Sequence, residues 1–408
     1  MERTLSAQKK LIFLCWLLYA SAYAGRYSYA SNVNLIMEQY GVTRADAGLV
    51  TSAFFFAYGI GQIIHGFLCR YYHRRYVLPV VMFLSAAVNF TFFLGLPFFL
   101  MKYLWALNGI VQATLWTSLM RVLGTSIEDG LRPRAVLVMG TTTASGTFVS
   151  YFASFLFVRF LNYRFSFLFA AVLMVAAGLT WLLSYRELGD PAEFKARPVK
   201  KAEAADAPRK KLSRATALLL PVICVFAVLS NLIKDGLQQW VPNVLKEAFG
   251  LGNDFSILLT LALPMLAMLG ATIAVWLQKR VPNFLAMETI FFFCTALVVG
   301  GILLFLQRAF VPALICFGLT ALLQAAINNV NTGMVPIFLN HEADSGMLAG
   351  IINACCYLGS TISSYGLGAL ADAQGWNWVF RFLFFLTLIP VVTGTAILSV
   401  RHLRRKRM

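Results

Sequence analysis

Long apolar runs alternate along the chain with short clusters of charged and turn residues. A spanning helix needs about 20 apolar residues to cross a hydrocarbon layer of about 30 Å. Twelve runs meet that length, near 11–36, 47–69, 76–96, 98–124, 135–158, 165–185, 215–245, 255–278, 284–307, 311–339, 346–370 and 378–400. One long polar stretch interrupts them, 186–214, which contains "EFKARPVKKAEAADAPRKKLSR". Its charge, proline and alanine content predict a flexible linker. It splits the chain into a six-helix bundle over 1–185 and a second over 215–408, which ends in the basic tail "RHLRRKRM". The predicted fold class is an all-α membrane protein of twelve transmembrane helices in two pseudo-symmetric bundles.

Composition sharpens the membrane assignment. The 408 residues are 59% hydrophobic and only 12% charged, whereas a soluble domain carries about a quarter charged residues. The first apolar run is too long for a signal peptide and lacks a small-residue cleavage site, so it is expected to be retained. The seven cysteines lie almost wholly in apolar segments and have no metal-ligand spacing. No disulfide framework, metal or cofactor is expected.

The net charge of +17 has a topological explanation. With both termini cytoplasmic, roughly 24 of the 34 Lys and Arg fall inside and about six outside. That places the chain in the cytoplasmic (inner) membrane, with its basic loops against anionic headgroups. The basic residues are spread over several short loops, which argues against a nucleic-acid partner. There is no phosphate-cradling glycine loop with its lysine and no His-Glu-x-x-His. An enzyme is therefore excluded, and transport driven by a gradient is favoured, in a functional monomer.

Two cations stand inside the apolar runs at matching places. Arg26, in "YASAYAGRYSYASN", lies about fifteen residues into the first helix, and Lys234, in "LSNLIKDGLQQWVP", about nineteen into the seventh. Each such charge costs roughly 2.5–3.5 kcal/mol to place at the helix centre. Each helix opens one half of the chain. Their correspondence points to a shared anionic ligand near the midplane, while pairing with a carboxylate is the structural alternative.

These stretches resemble the major facilitator superfamily, and within it the organophosphate:phosphate antiporter family, over nearly the whole chain. The family's helix-1 arginine after a tyrosine-rich stretch is matched by "YAGRYSYASN". Its helix-7 arginine before Gly and Trp-x-Pro is matched by "KDGLQQWVP", with Lys234 in the arginine's place. "GIVQATLWTSLMR" matches a helix-4 pattern through Gln112, Trp116 and Arg121. "GMLAGIINACCYLGS" resembles the glycine-rich stretch of helix 11 and puts Tyr357 at the substrate-facing tyrosine. The resemblance implies a substrate site containing Arg26, Lys234, Gln112, Trp116 and Tyr357. The departures are equally plain. Tyr27, Gln62 and Thr143 stand where glycerol phosphate members carry two lysines and a histidine, and Arg70 stands where an aspartate is expected. Lys234 is followed at once by Asp235. A phosphate dianion can still be held by an arginine fork and a lysine point charge. A monoanion, carboxylate or zwitterion also fits.

Other candidates follow from residue type. Tyr23, Tyr27 and Tyr29, like Trp116 and Tyr357, can stack on or hydrogen-bond a substrate, or merely pack between helices. Asn328, Asn329 and Asn331 in "AAINNVNTG" are costly in hydrocarbon unless they line a cavity or bond across helices. The small residues of "GTTTASGT" favour close packing, and His65 reads as structural. Arg121 is expected to gate the cytoplasmic ends through Glu128 or Asp129, and Glu288 to reach the inner interface. Asp235 either carries a coupling proton or neutralises Lys234. Three functions fit: an organic phosphate:phosphate exchanger, a proton- or sodium-coupled symporter of an organic anion, and a transporter-like membrane sensor.

Overall fold

A computed structural model describes residues 2–68, 71–128, 130–188, 214–338 and 345–407. Among them there is no strand, and helices cover all twelve apolar runs. Within the first half these are α1 (Glu2–Ser31) continued by α2 (Val33–Tyr40), α3 (Arg44–Leu68), α4 (Arg74–Leu94) and α5 (Phe98–Ser126). They are followed by α6 (Arg132–Gly140) with α7 (Thr142–Phe160), and by α8 (Arg164–Leu188). The second half contributes α9 (Arg214–Phe249), then α10 (Asn253–Thr260), α11 (Ala262–Ala267) and α12 (Gly270–Gln278) in succession, and α13 (Phe284–Phe305). After these come α14 (Phe310–Asn329), a π turn at Val330–Met334, α15 (Val335–Phe338), α16 (Ser345–Gln374) and α17 (Trp376–Arg407). Of the predicted linker, 186–188 close α8 and Arg214 opens α9, and 189–213 lie outside the described residues.

Among the described residues, eight helices are long and apolar enough to cross a membrane. The first, fourth, fifth and eleventh segments are helical but not among those eight. Three of these four carry candidate site residues: Arg26 on α1, Gln112 and Trp116 on α5, and Tyr357 on α16. A helix that lines a polar site must dilute its own apolar character, which is why a hydropathy criterion passes it over.

The chain packs as two compact units. One comprises Met1–Asn32 and Ala53–Arg209, the other Val33–Ser52 and Lys210–Met408. The helix α2 and the first two turns of α3 thus belong to the second unit. The two units repeat one plan. In the first, α1 packs on α7 and α4 on both α8 and α5; in the second, α9 packs on α16 and α13 on both α17 and α14.

Glycines set the closest approaches of that plan. A Cβ at Gly146 of α7 would stand 2.3 Å from the Ala20 carbonyl oxygen of α1. One at Gly359 of α16 would stand 2.1 Å from the Val228 carbonyl oxygen of α9. Without hydrophobic drive between lipid-immersed helices, such contacts supply the packing. Ala20 lies six residues before Arg26 and Val228 six before Lys234. The two cations therefore occupy the same register relative to the same helix crossing in each unit.

Candidate functional site: two buried cations

In the first unit, Arg26 projects from α1 and is 5% exposed. Its guanidinium lies over three aromatic faces: Tyr23 at 4.3 Å, Tyr58 at 4.4 Å and Phe54 at 5.0 Å from the ring centroids. Its Nε and Nη2 both donate to Gln112 Oε1 of α5, at 3.3 Å each. Gln112 is itself held, donating to Asn108 Oδ1 at 3.2 Å. A desolvated cation–π contact contributes about 2 kcal/mol. Three of them are enough to offset the roughly 2.5–3.5 kcal/mol cost of a mid-membrane charge. The aromatic residues that surround Arg26 thus explain how an arginine is retained there.

The tyrosines divide into two groups. Tyr23 stacks on Tyr27, with centroids 6.1 Å apart, and meets Tyr19 edge-on at 5.0 Å. Trp116 of α5 joins this cluster through Tyr19 at 5.0 Å. Tyr29 is placed differently. It is fully buried and packs against Trp105 and Phe92, and Trp105 in turn meets Phe54 at 5.9 Å. The period explains it: Tyr23 and Tyr27 are four residues apart on one helix face, and Tyr29 is two further round.

In the second unit, Lys234 sits in a network of amides. Its Nζ donates to Asn231 Oδ1 at 2.8 Å and lies 3.4 Å from Asp235 Oδ1. Adjacent helical residues point about 100° apart, yet the lysine stem is long enough to curl back onto its neighbour. Asp235, 6% exposed, also accepts a short hydrogen bond from Ser360 Oγ of α16. Asn231 Nδ2 donates to Asn328 Oδ1 of α14 at 3.3 Å. One turn away, Ser230 donates to Gln324 at 2.8 Å, and Gln324 to Thr295 of α13 at 3.0 Å.

The structure therefore brings Lys234, Asp235 and Asn328 together in one network. Asn331 is fully buried in the π turn, outside that hydrogen-bonded set. Tyr357 is half-buried on α16, one residue beyond Cys356, whose thiol lies 3.9 Å from Asn328 Oδ1. Arg121 is half-buried near the end of α5, and Asp129 lies outside the described residues.

A second charged cluster in this unit has no counterpart in the sequence reading. Arg44, at the start of α3, pairs with Asp372 at 2.8 Å and Glu247 at 2.5 Å, and donates to Asn243 Oδ1 at 3.1 Å. Asp372 also accepts from the backbone N–H groups of Arg44 and Ala45, at 3.3 and 2.8 Å. It thereby caps α3 from 327 residues away in the chain. Lys246 pairs with Glu38, and the whole group lines a cleft of about 310 Å³. No local spacing announces such a cluster, because its members come from three distant segments.

Two repeated units, each with a cation at the same register beside a glycine crossing, form the internal plan of a two-bundle transporter. The Major Facilitator Superfamily profile matches residues 15–337. The chain belongs to that superfamily. It is 22% identical over 406 residues to the membrane sensor protein UhpC of Salmonella typhimurium, covering 96% of this chain and 90% of that one. It is 24% identical to sugar phosphate exchanger 3 of Bos taurus, covering 85% and 78%. It is 22% identical to the glycerol-3-phosphate transporter of Bacillus subtilis, covering 92% and 88%. The superfamily fold is equally plain in solved structures. A bacterial homolog of the human lysosomal transporter Spinster superposes with a TM-score of 0.75 at 13% identity, over 96% of both chains. A D-xylose–proton symporter superposes with 0.72 at 14%, again over 96% of both. The protein is a multi-pass membrane transporter of this superfamily and not an enzyme.

Proposed function

We propose that this transporter moves a small organic phosphate, such as a sugar phosphate or glycerol phosphate, in exchange for inorganic phosphate by alternating access. The anion engages the guanidinium of Arg26 and the ammonium of Lys234, with Tyr23, Tyr27, Trp116, Gln112, Asn328 and Tyr357 as neighbours of the organic moiety. The observation that carries this reading is the environment of Arg26: a buried guanidinium deep in α1, held over aromatic faces and by an amide, is a planar donor group matched to phosphate oxygens. The names of the sugar phosphate and glycerol phosphate relatives support the same substrate class. Orientation is part of the proposal: both termini and the linker face the cytoplasm, and the Arg44 cleft faces outside.

The decisive measurement is exchange in proteoliposomes loaded with inorganic phosphate and offered labelled glycerol 3-phosphate or hexose 6-phosphate. Exchange that is lost in Arg26→Ala supports the proposal. Absence of any phosphate-dependent exchange by the wild-type protein would sink it. A second reading has its own observation, since two curated relatives at 22% identity are named membrane sensor proteins. A sensor would bind the organic phosphate in the same preparation without exchanging it.

A further inference from the structure

The buried side chain that the anion site does not use is Glu288. It stands one turn into α13, is fully buried, and neither carboxyl oxygen has a hydrogen-bond partner. Among the described residues of this unit, Asn331 is another such group. It is also fully buried, and both its Oδ1 and its Nδ2 lack partners. The pairing of α13 with α14 relates them. Gly301 faces Cys316, and Gln324 bonds Thr295. Seven residues, or two turns, further along both antiparallel helices bring Glu288 and Asn331 to one level. Asn331 lies in the π turn Val330–Met334, a helix irregularity that is frequent at functional sites.

An ionised carboxylate buried without a partner costs several kcal/mol. A neutral carboxyl and a primary amide are complementary, since each offers one donor and one acceptor to the other. An ionised carboxylate could satisfy only the amide's donor side. We propose that Glu288 is a proton-binding site, with Asn331 as its positioning partner, and that its proton travels with the anion. The carboxylate takes one proton from water on one side of the membrane and returns one to water on the other.

The link to the anion site is electrostatic. Gln324 of α14 bonds both Thr295, two turns from Glu288 on α13, and Ser230, one turn from Lys234 on α9, which ties the two sites through three adjoining helices. A negative charge arriving at Lys234 favours the protonated form of Glu288. By reciprocity, protonation of Glu288 favours the anion. The sign is that of cotransport.

The other titratable groups around Glu288 do not take this role. The helix α13 packs against α14, α17 and α12. Among side chains described there, α13 and α14 offer only Cys294 and Cys316 besides Glu288. Arg381 of α17 lies over the Trp378 ring, at 5.0 Å. In the connection before α13, Lys279 is exposed and Arg280 lies over Trp276 at 3.8 Å. Across the unit, Asp235 is already paired with Lys234 and Ser360. His341, Glu342, Asp344 and the basic residues after Val400 lie outside the described side chains.

This inference rests on the proposed function only in that the chain carries an anion, and two measurements keep the two separable. Infrared titration of the full chain in lipid reads the carboxyl directly. The wild type is expected to show a protonated-carboxyl band at neutral pH that is missing in Glu288→Gln; identical spectra overturn the proposal. The second reads phosphate:phosphate exchange in phosphate-loaded proteoliposomes as the medium goes from mildly acidic to mildly alkaline. Wild-type exchange is expected to fall as the pH rises, and Glu288→Gln exchange to follow only the phosphate's own titration. That titration is common to both proteins, so a difference between them belongs to Glu288. Equal pH profiles for the two proteins overturn the proposal. A wild type that moves no phosphate defeats the functional reading, and the infrared band then decides Glu288 alone.

Discussion

Arg26 and Lys234 hold the same register in their units but are kept in place by different chemistry. Arg26 lies among three ring faces and one amide, none of which removes its charge. Lys234 lies beside a carboxylate and an amide, 3.4 and 2.8 Å away, so part of its field is taken up inside the protein. The difference assigns unequal duties. Under the proposed function, the first unit supplies a planar positive group matched to phosphate oxygens. The second supplies a tempered point charge whose strength depends on Asp235.

The sharpest way to break the comparison is to remove the crossings that give both cations their register. Gly146→Val and Gly359→Val each drive a Cβ to about 2 Å from a backbone oxygen that cannot yield. Neither variant is expected to run as a monodisperse peak on size-exclusion chromatography. If only one collapses, the crossings are not equivalent.

Removing the cations comes next. Arg26→Ala and the double variant Lys234→Ala/Asp235→Asn are expected to stay folded, because neither leaves a buried charge without its partner. Each should weaken organic phosphate binding by a hundredfold or more, as loss of one partner of a desolvated charge pair costs about 3 kcal/mol. Calorimetric titration checks both. Arg26→Lys keeps the charge but loses the two-pronged donor, and about a tenfold loss is expected. Lys234→Arg should stay within about threefold of wild type by the same principle. Near-normal binding by a monodisperse Arg26→Ala would make the arginine structural.

Asp235→Asn tests the tempering itself. Asp235 is ion-paired, so the neutral amide should lower exchange and uphill accumulation together, by about tenfold, through a misplaced Lys234. Loss of accumulation with exchange intact would instead make Asp235 the proton carrier. The smallest effect concerns the Arg44 cleft, which is partly open, its paired side chains 25–35% exposed. Arg44→Ala is expected to cost about 1 kcal/mol, since exposed ion pairs are worth little singly. A thermal-shift measurement in detergent reads it.

Much of this architecture was legible beforehand. Apolar run length marked every helical segment, because a bilayer leaves the backbone no alternative to the helix. The price of an intramembrane charge singled out Arg26 and Lys234. The tyrosines were legible as candidates but not as neighbours. Only the helix packing separates Tyr27, stacked beside Tyr23, from Tyr29, buried against Trp105. Glu288 was visible as a carboxylate near a helix end, and nothing local revealed that it lacks a partner.

The sequence by itself determined the fold class and the two cations, since each follows from the cost of putting a group into hydrocarbon, a property of single residues and short runs. Tertiary structure alone decided what surrounds each charge. Gln112 reaches Arg26 across 86 residues, Ser360 reaches Asp235 across 125, and Asp372 reaches Arg44 across 328. Electrostatic and hydrogen-bond energies fall off within a few ångströms, and distance in space along a folded chain is not written in distance along its sequence.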